Sequence, residues 1–92
     1  MTSPPTTDEI AERILELCQQ RGPEKSICPS EAARSLASDY VDLDWRCLME
    51  PVRQVAGLLA KAGRIEACQK GRVIDIEQAK GAIRLRIVDK RN

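Results

Sequence analysis

Between Ser30 and Gly71 the chain spells two helices and a hairpin in immediate succession, and few folds accept that order. Ser30-Glu31-Ala32-Ala33-Arg34-Ser35-Leu36-Ala37 reads as a short helix with Ser30 at its N-cap, because a serine hydroxyl accepts from the free amides of a first turn. A longer helical stretch ends at Lys61-Ala62-Gly63. Arg64 to Gln69 and Arg72 to Ile76 then flank Lys70-Gly71 as the strands of a hairpin. Helix, turn, helix and hairpin predict an α+β fold of the winged helix-turn-helix kind, a three-helix core with a small antiparallel β-sheet as its wing.

The remaining elements follow from local rules. Thr6-Thr7-Asp8-Glu9 fits a capping box, after which Ile10, Ile14, Leu17 and Cys18 share one helical face. Gly22-Pro23 ends this first helix. Lys25 to Cys28 is a connector able to add one bridge to the sheet. In the second helix Ala32, Ala33, Leu36 and Ala37 make a small-residue face for close helix packing. Asp44 caps a helical turn at 45–49, and Pro51 is harmless only at a helix start, so the main third helix is expected over 51–62. Leu48, Val52, Val55, Ala56, Leu59 and Ala62 run as one apolar stripe through both pieces.

If Lys70-Gly71 is a two-residue turn, Ile65 faces Ile76 and Ala67 faces Ile74, which puts apolar pairs on one side. A last strand over 82–88 turns Ile83, Leu85 and Ile87 inward. In the alternative register, Gly71 is a bulge and the wing tip lies at 77–81. The expected organisation is a tail at 1–6, one domain over 7–89 and a short tail at 90–92.

Composition removes several function classes. With one Trp, one Tyr and no Phe, the chain has no aromatic platform for stacking single-stranded bases. There is no histidine, and Cys18, Cys28, Cys47 and Cys68 are too dispersed for the paired ligands of structural zinc. Asp39, Asp42 and Asp44 lack the glycine and closing glutamate of a calcium loop and suit capping. No apolar run approaches a membrane span. No secretory leader is seen at the polar, proline-rich N-terminus, so four reduced, largely buried thiols in a cytoplasmic protein are expected. Without an acid–base pair or an activated thiol, neither an enzyme nor a cofactor is expected, and no small-molecule substrate is evident.

Charge points to the third helix and the wing. The net charge of +1 divides into −3 over residues 1–39 and +4 over 40–92. Opposite the apolar stripe stand Arg46, Glu50, Arg53, Gly57 and Lys61, with Gln54 alongside. Arg reads a guanine edge and Gln an adenine edge in the major groove, while Lys70, Arg72 and Lys80 of the wing would hold phosphates. The same groups also suit a solvated helix face, as any amphipathic helix has. Arg84 and Arg86 read better as charges protecting an outer strand, and Trp45 as the largest filler of the core. Two partners therefore stand open: double-stranded DNA, or a protein partner (a second copy included) docking on the same scaffold.

Cys28-Pro29-Ser30-Glu31-Ala32-Ala33-Arg34, Asp44-Trp45-Arg46-x-Leu48-Met49-x-Pro51-Val52-Arg53, Gln69-Lys70-Gly71-Arg72-Val73-Ile74-Asp75 and Lys80-Gly81-Ala82-Ile83-Arg84 resemble the short bacterial family called domain of unknown function 3253. The resemblance runs from Ile10 to Arg86 and implies a winged-helix-like fold. It departs at Ala82, where proline is expected, and in a longer Asp39–Leu43 loop. It brings no assigned activity, since fold alone does not carry function.

Overall fold

The computed structural model describes residues 4–88, in the order α1 (Thr7–Arg21), α2 (Pro29–Ala37), a 3-10 turn (Trp45–Leu48), α3 (Met49–Lys61), β1 (Ile65–Gln69), β2 (Arg72–Val73) and β3 (Arg84–Ile87). Residues 1–3 of the expected N-terminal tail, residue 89 at the end of the expected domain and the whole expected tail at 90–92 lie outside the described residues. The three strands form an antiparallel sheet ordered β2-β1-β3. Ile27 bridges Leu85 on the far side of β3, as the connector before α2 led one to expect. Three helices plus this sheet make an α+β layout compatible with a winged helix. No helix among the described residues is long and apolar enough to cross a membrane.

Local signals place the helices. Glu9 N–H donates to Thr6 Oγ1 at 3.1 Å, and the Glu9 carboxylate accepts from Thr6 N–H, which completes the capping box. Gly22 leaves α1 at φ +85°, and its N–H returns to the Cys18 carbonyl. Asp44 caps the 3-10 turn through Arg46 N–H at 3.0 Å. Pro51 falls in the first turn of α3, where its missing amide had no helical partner to lose.

Four expectations are corrected. Cys28, not Ser30, is the N-cap of α2: Pro29 already has the right φ for the first helical position, and the Ser30 hydroxyl donates instead to Cys28 Sγ. Ile65 pairs with Ile87 rather than Ile76, because β2 ends at Val73 and the chain turns away through 75–79. Asp75 holds that turn by accepting from Glu77 N–H at 3.0 Å, and Ile76 is buried in the common core instead of extending the ladder. Ala62 is exposed at the end of α3, outside the stripe it was expected to join, whereas Trp45 is half-buried and packs against the core. Of the four free thiols Cys18 alone is buried, and Cys47 is exposed; burial pushes the Cys18 thiol up to about 11.

The core joins the α1 face (Ile10, Ile14, Cys18), the α2 alanines with Leu36, the α3 stripe and the inward strand residues Ile65, Ala67, Ile83 and Leu85. No polar or charged residue among those described is buried. Outside the core, Arg13 of α1 donates to the Ser35 carbonyl and hydroxyl and pairs with Asp39, while the Tyr40 hydroxyl donates to Glu9 Oε2 at 2.7 Å. These contacts strap the loop after α2 onto α1.

The strap has a pH signature. The Tyr40 hydrogen bond is the main influence lowering the Glu9 pKa, and the same bond raises Tyr40 above its usual value of 10. For Tyr40, whose folded pKa is raised, the contribution is full below the unfolded pKa and is lost as pH climbs through the folded one. For Glu9, whose folded pKa is depressed, it is present above the unfolded pKa and is lost as pH falls through the folded one. Tyr40 is the chain's one tyrosine, so phenolate absorbance reads it directly. Its midpoint is expected above 10 in the native protein and closer to 10 in Glu9→Gln. An unchanged midpoint in the variant would show that the strap does not form.

Candidate nucleic-acid interface on α3 and the wing

The segment between β1 and β3, residues 70–83, forms the wing. Both residues of its tight turn have positive φ, Lys70 at +53° and Gly71 at +80°, as a two-residue hairpin turn requires. Cys68 pairs with Val73 and Gln69 with Arg72, so the two-residue turn is the register adopted. The 77–81 stretch proposed by the alternative register still lies within the same wing.

Side-chain hydrogen bonds fold the far half of the wing back onto its base. Gln69 Nε2 donates to the carbonyls of Lys80 (2.7 Å) and Ala82 (3.1 Å). From α3, Arg53 Nη1 donates to the Gly81 carbonyl at 3.2 Å. This chain of contacts runs from Arg53 through Gly81 and Lys80 to Gln69, whose neighbours are Lys70 and, across the strand pair, Arg72. Four of the seven expected residues thus share one neighbourhood. Lys70, Arg72 and Lys80 are exposed and Arg53 is half-exposed, and none of the four meets a carboxylate among the described residues.

The other three are placed differently. Gln54 is exposed and lines a groove with Arg53. Lys61 is held by Glu77, Nζ to Oε1 2.6 Å, and this hydrogen bond is the main influence raising its pKa. Arg46 stands at the opposite end of α3, with Asp44 3.6 Å away and the Trp45 ring beneath it.

The groove is a cavity of about 610 Å³ between the outer face of α3 and the 76–77 turn, with Met49, Gly57, Leu58 and Ile76 on its walls and Glu50 and Glu77 at its rim. Leu58 remains 59% exposed there. Gly57 is the unusual member. A helical glycine lowers stability by about 1 kcal/mol relative to alanine, yet a Cβ at this position would meet nothing within 4 Å. The fold itself gains nothing from this glycine.

Sequence reasoning missed Gln69 as the residue that closes the wing, and Glu77 as the partner of Lys61. A polar residue at the end of a strand carries no signal for a backbone acceptor eleven residues on. The groove was also unforeseen, because Ile76 was assigned to a ladder instead of to the underside of a turn.

The described residues form a small α+β domain of three helices and three strands, in which one helix and a long hairpin loop bring Arg53, Lys70, Arg72 and Lys80 into one neighbourhood. The family model described as protein of unknown function (DUF3253) matches residues 7–88, and the chain belongs to that family. No curated protein matches the chain.

Proposed function

We propose that this is a non-catalytic cytoplasmic protein that binds double-stranded DNA, with α3 entering a groove and the wing holding the phosphate backbone beside it. The observation that carries the reading is the cluster of Arg53, Lys70, Arg72 and Lys80, gathered by the Gln69 and Arg53 hydrogen bonds and without an acidic partner among the described residues. Lys70, Arg72 and Lys80 would contact phosphates, and Arg53 and Gln54 base edges. Leu58 suits a thymine methyl, and Glu50 an amino group of cytosine. Lys61 would contribute only after leaving Glu77.

Two local misfits support the reading. Gly57 weakens α3 without relieving any contact inside the molecule. Lys70 occupies a left-handed position that glycine or asparagine fills with less strain. Both lie on the proposed interface, where stability is commonly yielded to function. Gly57→Ala is therefore expected to raise stability by about 0.5–1 kcal/mol in a denaturant melt while weakening duplex binding several-fold. Equal duplex affinity in the stabilised variant would mean that α3 makes no close approach.

The direct test is titration of a labelled duplex at several salt concentrations. Three phosphate contacts from the wing predict that log K falls against log salt with a slope of about −2.7 or steeper. No binding at low salt would remove the reading.

A second reading, docking of a protein partner or a second copy, is favoured by the exposed Leu58 in the groove and by Val73, 59% exposed on the edge strand β2. A concentration-dependent mass in solution, lost in Leu58→Lys, would support it.

A further inference from the structure

Trp45 is the chain's one tryptophan; it is half-buried and packs against the edge of the core, leaving part of its ring accessible. It lies where the 3-10 turn meets α2, and two arginines from different elements gather on it. Arg34 Cζ of α2 is 4.4 Å from the ring centroid, and Arg46 Cζ is 5.2 Å from it. The two guanidiniums are therefore within about 10 Å of each other, near one Debye length at moderate ionic strength, and like charges at that distance repel. Asp44 is the only acid bonded to either among the described residues. Its ion pair with Arg46 spans 3.6 Å, with side chains 73% and 52% exposed, so it offers little compensation. The Arg34 side chain is exposed and makes no hydrogen bond or ion pair among the described residues.

Two arginines drawn to one indole, with most of their N–H groups unused, suit an oxyanion. An aromatic face fixes the guanidinium plane, so less side-chain freedom is lost when the fork engages phosphate. The position also matters. Arg46 precedes α3 and Arg53 lies in the first half of that helix, so a second cationic site here would extend the contact surface past the helix N-terminus.

We propose that Arg34, Trp45 and Arg46 form a phosphate clamp, a second backbone anchor beyond the N-terminus of α3 and separate from the wing cluster. The assignment to DNA backbone phosphate rests on the duplex-binding reading; the chemistry of the clamp is shared with free phosphates. Neither Arg34 nor Trp45 was singled out by sequence as a binding residue.

Because the clamp is built on the lone tryptophan, its emission reports occupancy. The experiment titrates the full chain with a labelled duplex at low salt, following label anisotropy and Trp45 emission together, and repeats the titration with inorganic pyrophosphate. Trp45 emission is expected to change in step with duplex anisotropy. Arg34→Gln should weaken duplex binding about three- to tenfold and make the salt slope shallower by about 0.9, the loss of one phosphate contact. Lys80→Gln should weaken binding similarly while leaving the emission change intact. Duplex binding without an emission change, and unaltered by Arg34→Gln, would overturn the clamp and leave the wing reading standing. If no duplex binds, the duplex reading fails on its own. A pyrophosphate-dependent emission change abolished by Arg34→Gln would then establish the clamp for free phosphates, and no response would overturn it.

Discussion

Arg53→Glu combined with Lys80→Glu is expected to weaken duplex binding by about a hundredfold or more at low salt while leaving the fold intact. The substitutions remove two cations and place two anions beside a polyanion, and like-charge juxtaposition at an interface costs several kcal/mol. Arg53 and Lys80 are joined through Gly81, so both changes fall on one spot rather than on two distant edges. Neither side chain is part of the buried core. The one internal bond lost is the exposed contact from Arg53 to the Gly81 carbonyl. Anisotropy of a labelled duplex measures the affinity, and circular dichroism with a thermal melt checks the fold. An affinity within threefold of the parent protein would show that this cluster does not face DNA.

Leu85→Ala is the expected structural breaking point. Leu85 is fully buried in β3, pairs with Ala67 of β1 on one side and exchanges two backbone hydrogen bonds of 2.8 Å with Ile27 on the other. Its side chain thus sits where the sheet, the connector before α2 and the helical layer meet. Truncating a buried leucine to alanine costs about 3–5 kcal/mol, the upper part of that range applying where the surroundings cannot collapse into the void. A domain of this length has roughly 5–14 kcal/mol of stability, so the variant should lose from about a fifth of it to nearly all of it. Leu85→Met, which nearly conserves volume, should cost less than about 1.5 kcal/mol. Urea denaturation of the three proteins measures this. A loss under about 1 kcal/mol in the alanine variant would show that β3 is not integral to the core.

The parts of this molecule that sequence made legible are those governed by neighbours in the chain. Thr6 and Glu9 cap α1, Gly22 ends it, Asp44 starts the 3-10 turn and Lys70-Gly71 turns the hairpin, each through contacts within a few residues. Periodicity likewise gave the buried faces of α1, α2 and α3. Ser30 misled because two adjacent residues satisfy the rules for a helix start, and Pro29 took the first position. Trp45 packs against the core as its size suggested, but the two arginines gathered near its ring carried no signal in the spacing.

The candidate site was legible only as a set of residue types. All seven residues were named from one helical face and one hairpin, but which of them cluster depends on long-range contacts. Gln69 and Arg53 draw the wing towards α3, Glu77 takes up Lys61, and Arg46 belongs with Arg34 at the other end of the helix. Spacing along a sequence does not encode these choices. They follow from the path of residues 74–83, which is fixed by the Asp75 turn and by the burial of Ile76.

The measurement that bears most directly on the account is a backbone amide shift map of the isotopically labelled protein as a short duplex is added at low salt. The α3–wing interface predicts perturbations concentrated at residues 53–58, 69–72 and 80–82, joined by 34 and 45–46 if the clamp also engages, with α1 nearly silent. Perturbations centred on α1, or a spectrum that does not change as duplex is added, would contradict it.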